Sequence, residues 1–218
     1  MKVLSIRRGF ASDHSSTSYE FLAVDKPLGK KARSEVSKLS SRVSPTARRA
    51  HFIYHVDGYD IPGGWEKLMT QYYDVMYREE YGWWTLAMAF NAKPGQYDDL
   101  AKFEFDGATD GMGIEISYTE EHRMIIIINC AIEDFRDFDE EYEDEDEDES
   151  SVFSTDNGLL NLLIQVRQQI IGGDYRALYA VWEKYGDTDD DDPPPKPKSV
   201  KKGEDILKNF KSVLGYIE

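Results

Sequence analysis

Cysteine is all but missing from this chain. Cys130 is the single one among 218 residues, so no disulfide can close within it and a reducing compartment suits it. Histidine is scarce as well, with four residues, which leaves little material for a closed structural zinc site. Long apolar runs are lacking. The longest purely aliphatic stretch, 124–128, falls far short of the roughly 20 residues that cross a bilayer. The apolar part of Met1-Lys2-Val3-Leu4-Ser5-Ile6-Arg7-Arg8 is too short for a secretion signal. The expectation is a cytoplasmic protein with no membrane partner.

Positive charge is also short overall, with 26 Lys and Arg against 42 Asp and Glu and a net charge of −16. That figure misleads until it is located. Residues 133–149 hold thirteen acids and one Arg, and residues 187–192 hold five Asp. These two ribbons together exceed the whole surplus, so the remaining body is close to neutral. Residues 1–63 carry a net charge of +5, and the tail 193–218 a net charge of +3. Like-charge runs repel themselves, stay extended and serve as solubility or interaction tails.

What the chain does have is a core. Hydrophobic residues make up 40% and aromatics 13% of it, which excludes wholesale disorder. Residues 18–24 are rich in strand formers, and 31–39 reads as a short polar helix. Residues 51–57 alternate, with Phe52, Tyr54 and Val56 on one face. The stripe Trp65, Leu68, Met69, Tyr72 and Met76 predicts a helix over 65–78. Residues 83–90 read as a strand buried on both faces. Segments 111–119 and 123–130 read as a hairpin whose second strand is central. Leu159, Leu162, Leu163, Val166 and Ile170 predict a strong helix. Gly172-Gly173 then joins it to a second helix bearing Leu178 and Trp182, an αα-hairpin. Ile206, Phe210, Val213 and Ile217 make the last stretch an amphipathic helix.

The predicted fold class is therefore α+β: an antiparallel or mixed sheet of about four or five strands with helices on one face. A ferredoxin-like order is suggested for its first half. The expected division is a core over 1–132, a disordered acidic insert over 133–157 and a helical hairpin over 158–186. A solvated Asp/Pro linker over 187–203 would then tether a helix over 204–218, free to dock in cis or in trans.

Several segments carry a resemblance. Ser18-Tyr19-Glu20-Phe21-Leu22-Ala23-Val24-Asp25-Lys26-Pro27-Leu28 resembles the opening strand and turn of a family of uncharacterised prokaryotic proteins. The likeness continues at Leu39-Ser40-Ser41-Arg42-Val43-Ser44-Pro45-Thr46 and at Leu68-Met69-Thr70-Gln71-Tyr72-Tyr73-Asp74, and returns at Gly173-Asp174-Tyr175-Arg176-Ala177-Leu178-Tyr179. The chain is also similar to the small accessory proteins of type III-E CRISPR loci. The resemblance implies one module with an acidic insert and brings no catalytic role. The Tyr-rich segment before Gly82-Trp83-Trp84 departs from the family pattern.

Candidate chemistry is sparse. Asp13-His14-Ser15-Ser16 sets an acid, a base and a hydroxyl side by side, but nucleophilic catalysis needs such groups converged in space. His51, His55 and Asp57 share a strand face, yet His51 and His55 stand about 14 Å apart on a regular strand and cannot grip one ion. The acidic ribbon 133–149 lacks the glycine turn of a calcium loop. Arg7, Arg8, Lys30, Lys31, Arg33, Arg48 and Arg49 form the one basic face that could meet phosphates.

Tyr73 and Tyr77, four apart on the expected helix, read as an interface patch. Phe210, Lys208 and Lys211 on the terminal helix complete the candidate protein-binding surface. The sequence thus favours a non-catalytic adaptor or regulator that binds another, basic protein. A nucleic-acid binder and a small metal-dependent hydrolase are the alternatives. No cofactor and no small-molecule substrate are implied.

Overall fold

Seven strands form a single antiparallel sheet in the order β2-β1-β3-β4-β7-β6-β5. The computed structural model describes residues 17–55, 60–80, 83–107, 111–119, 123–132, 158–187 and 192–216. The strands are β1 (Thr17–Leu22), β2 (Arg49–Tyr54), β3 (Val75–Glu80), β4 (Trp83–Asn91), β5 (Phe105–Asp106), β6 (Gly113–Tyr118) and β7 (Arg123–Ala131). The helices are α1 (Lys30–Ser37), α2 (Trp65–Gln71), α3 (Gln96–Leu100), α4 (Gly158–Ile171), α5 (Arg176–Tyr185) and α6 (Glu204–Val213). The α+β class holds. The sheet, however, has seven strands rather than four or five.

Side-chain alternation along the central strands builds two cores. Leu86 and Met88 of β4, with Ile126 and Ile128 of β7, pack under α4, α5 and α6. Ala87 and Ala89, with Ile125 and Ile127, face α1 and α2 instead. A strand covered on both faces must be apolar at every position, and the isoleucine run of β7 meets that demand. Helices therefore lie on both faces of the sheet, where the sequence pointed to one.

Two expectations fail at the third strand. The helix beginning at Trp65 ends at Gln71, and Tyr72 leaves the helical region at φ −133°. The amides of Tyr72 and Tyr73 both donate to the Leu68 carbonyl, closing the last turn. Asp74 then donates its amide to the Leu22 carbonyl, and the chain enters the sheet. The ferredoxin-like order fails too. β1 lies between β2 and β3 and is antiparallel to both, so α1 is an excursion between neighbouring strands and no parallel crossover is made.

The segment over 192–203 is not a solvated tether. Pro194 is buried, and the strap is bonded to the body as described below. α6 docks in cis: Phe210, Val213 and Leu214 are fully buried in the same core as α4 and α5. The expected acidic insert over 133–157 lies outside the described residues. Among those that are described, no helix is long and apolar enough to cross a membrane.

Candidate functional site

The sheet brings one polar group of residues together that sequence neighbours do not reveal. Ser18 and Glu20 of β1 share a face with His51 of β2, because Ser18 pairs with Ile53 and Glu20 with His51 across the ladder. Ser18 Oγ lies 3.3 Å from His51 Nε2, and Glu20 Oε1 lies 3.6 Å from the same nitrogen. In a nucleophilic triad the acid would hold the other ring nitrogen, leaving Nε2 for the hydroxyl. Here Glu20 and Ser18 both lie against Nε2, so Glu20 does not stand where a triad's acid would. Ser18 and Glu20 are buried, as is Glu79 on β3.

The remaining histidine-face residues do not join this group. His55 is exposed. Asp60 instead accepts a bond from the Tyr19 hydroxyl at 2.6 Å. Asp13, His14, Ser15, Ser16 and Asp57 lie outside the described residues. Among the described residues, no three His, Cys, Asp or Glu side chains are grouped to hold a metal ion.

The proposed interface tyrosines require a correction. Tyr73 is 0% and Tyr77 1% exposed. Tyr77 sits in β3, and Tyr73 precedes it in the joint after α2, so they share no helix face. Tyr73 packs on Phe21 with ring centroids 5.2 Å apart, and Tyr77 on Trp84 at 5.6 Å. They go to opposite cores, Tyr73 with α2 and Tyr77 with α4. Phe210 is likewise 0% exposed and belongs to the core. Of the three candidate residues on that helix, the two lysines are the ones that reach the surface. Lys208 is exposed, while Lys211 lies 3.3 Å from the Glu183 carboxylate and 4.9 Å over the Tyr216 ring.

The basic face is only partly available. Lys30 and Lys31 are exposed on α1, and Arg33 and Arg49 are half-buried. The Arg48 guanidinium is engaged in holding the end of β1, donating to the carbonyls of Ala23 at 2.8 Å and Val24 at 3.0 Å. Arg7 and Arg8 lie outside the described residues.

The sequence missed a concavity on the helical side of the sheet. A groove of about 850 Å³ opens between the C-terminal end of α4, the turn into α5, the strap over 192–203 and the start of α6. Arg176 builds it. Asp174 accepts two bonds from this guanidinium, from Nε at 2.9 Å and from Nη2 at 2.8 Å, a bidentate pair with a defined plane. So oriented, Arg176 donates to the carbonyls of Val200 and Lys202, each at 2.7 Å, and to Glu204 at 2.7 Å. Gln169 adds a bond to the Gly203 carbonyl at 3.0 Å.

Gly203 caps α6 with φ at +74°, and a Cβ there would meet Gln169 Nε2 at 2.0 Å. Glycine alone fits both demands. Burial by itself would raise the Asp174 carboxyl, but the bonds and charge of Arg176 outweigh it and hold the pKa below its ordinary value.

Lys196, Lys198 and Lys202 line the strap side of this groove, and Gln168 and Gln169 line the helix side. Two of the acids in the wall are already matched: Asp99 pairs with Lys102 at 2.9 Å and Asp174 with Arg176. Among the described residues of the wall, Asp205 is then the one acid set against the three strap lysines. The one signal in the sequence was the lysine spacing after the proline run, which reads as a linker until Arg176 is seen to anchor it. No family model matches the chain, and no curated protein matches it.

Proposed function

We propose that this chain is a non-catalytic protein-interaction component, an adaptor or regulator in a prokaryotic multi-protein system. The observation that supports this reading is the preformed groove beside Arg176. Its walls carry long cationic and amide side chains around an open concavity, a surface suited to holding a segment of another protein. The strap is fixed in advance by Arg176 and Gln169, so little ordering cost remains for binding. The partner is therefore read as presenting acidic rather than basic groups here, which reverses the polarity expected from the acidic ribbons.

The test is complex formation in a native host, comparing the wild-type chain with Lys196→Glu/Lys198→Glu/Lys202→Glu. These exposed positions leave the fold intact, so melting temperature should stay within about 2 °C, since surface changes fall within about 0.5 kcal/mol. Loss of the co-purifying partner with the fold retained supports the reading. An unchanged set of partners overturns it.

A second reading, nucleic-acid binding, is favoured by one feature. Residues 17–55 carry eight Lys and Arg against three acids. With Arg48 committed to backbone carbonyls, that face offers Lys30, Lys31, Arg33 and Arg49. A salt-dependent shift of short RNA or DNA that Lys30→Gln/Lys31→Gln removes would support it.

A further inference from the structure

We propose that the outward side of the strap over 192–203 is itself a ligand: a fixed polyproline helix that docks into a groove of another protein, lined by aromatic rings and rimmed by carboxylates. This rests on reading the chain as a protein-interaction component and names the kind of partner.

Four of the chain's eight prolines, Pro193, Pro194, Pro195 and Pro197, fall in this one run. Each holds φ near −65°, and each confines the residue before it to extended backbone. Asp192, Pro193, Pro194 and Lys196 are the residues so confined. The polyproline helix, with 3 residues per turn and a rise of about 3.1 Å, meets both limits.

Burial along the strap has that period. Pro194 is buried and Pro197 half-buried, while Pro193, Pro195, Lys196 and Lys198 are exposed. Residues three apart share one edge of such a helix, so the edge of Pro194 and Pro197 lies against the body. The two other edges face outward, one carrying Pro193 and Lys196 and the other Pro195 and Lys198. Each presents a proline ring with a lysine one turn further on, about 9 Å away.

A proline ring is a rigid apolar body with no N–H to satisfy. Aromatic side chains pack on it, as they do in the grooves of SH3 and WW domains. The lysine on each edge then calls for a carboxylate beside those rings. A nucleic acid fits less well, because each edge is half uncharged and Asp192 is exposed directly before the run. The strap is also held in place, by the burial of Pro194 and by Arg176 and Gln169 on the carbonyls of Val200, Lys202 and Gly203. Little conformational freedom is left to lose on docking.

The experiment is biolayer interferometry with the full chain immobilised and purified SH3 and WW domains as probes. At least one of the two is expected to bind, and replacing the groove tryptophan of that domain by alanine should abolish binding. Pro193→Ala/Pro195→Ala removes one ring from each outward edge and should weaken binding about tenfold or more, with the melting temperature held within about 2 °C. Lys196→Gln/Lys198→Gln should also weaken it at low salt, whereas Lys30→Gln/Lys31→Gln should leave it unchanged. Absence of binding by both domains, equal binding by wild type and the proline variant, or tighter binding of a short RNA than of either domain would overturn the proposal. If one of those results comes with loss of the native partner in the charge-reversed variant, the polyproline chemistry fails and the interaction reading stands. If the partner is also retained, both fail.

Discussion

Arg167 of α4 reaches across the sheet to Asp25, a residue 142 positions earlier, and donates from both terminal nitrogens to both carboxylate oxygens. Its Nε donates at the same time to the Ala89 carbonyl at 2.8 Å. Asp74 lies 3.8 Å away and is paired with Arg123 at 2.9 Å. Arg123 in turn holds the carbonyls of Met69 and Tyr73, while Asp74 accepts from the backbone amides of Val24 and Asp25. Two arginines and two aspartates thus tie helices from opposite faces to the same end of the sheet.

Arg167 is 3% exposed in its side chain, so Arg167→Met is expected to cost about 1–3 kcal/mol, because it strands the buried Ala89 carbonyl, while Asp74 keeps Arg123. Arg167→Lys should also destabilise, since one ammonium cannot replace the planar fork. Asp25 is 57% exposed in its side chain, and Asp25→Asn should cost under about 1 kcal/mol. Urea unfolding of the three variants measures all of this. A loss below about 1 kcal/mol for Arg167→Met would remove the network from the account of stability.

The terminal helix should behave as core. Phe210→Ala is expected to lower stability by about 3–5 kcal/mol, because a fully buried aromatic leaves a cavity. A chain ending before Gly203 should melt at a lower temperature or fail to fold. Thermal denaturation decides the matter. An unchanged melting temperature on truncation would restore the picture of a detachable tail.

The Asp174–Arg176 clamp gives a pH dependence with a definite sign. The folded pKa of Asp174 lies below its unfolded value. Its contribution is therefore complete above the unfolded value of about 3.9 and is lost as pH falls through the lower folded value. Stability of the wild type should drop on acidification below about pH 4 more steeply than that of Asp174→Asn, which lacks the titrating group. Unfolding curves at a series of pH values between about 2 and 6 compare the slopes. Parallel curves would show that the clamp does not titrate with folding.

Cys130 should report unfolding. It is 0% exposed, and burial pushes its thiol up to about 12, so thiolate is scarce at neutral pH. An aromatic disulfide reagent at pH 8 should label the native protein at the rate of global opening, and Arg167→Met should speed that rate. Immediate stoichiometric labelling of the native chain would contradict the assignment.

Much of this architecture was readable from periodicity. The α4–α5 hairpin declared itself through Leu159, Leu163, Val166 and Ile170, and β7 through its isoleucine run, because core-facing positions must be apolar at the period of their element. The helix over 65–71 was legible, but its end was not. Tyr72 and Met76 prolong its 3.6-residue stripe by coincidence, and no Gly or Pro marks the break. The joint is made by Asp74, whose partners lie about fifty residues earlier in β1 and later in β7. The two-residue β5 carries too little pattern to be seen. The groove was hidden for a related reason. Lys196 and Lys198 after a proline run look like a linker, and only the long-range bonds of Arg176 turn them into a wall.

The distribution of the two cores along the chain has a further effect during synthesis. All seven strands are complete by Ala131, yet the helices that cover Leu86, Met88, Ile126 and Ile128 come only from residue 158 onward. A nascent chain therefore holds a finished sheet with one greasy face bare while the last third is still being translated. That interval is where a chaperone would act on it, and where a premature stop would yield a sticky rather than a harmless product.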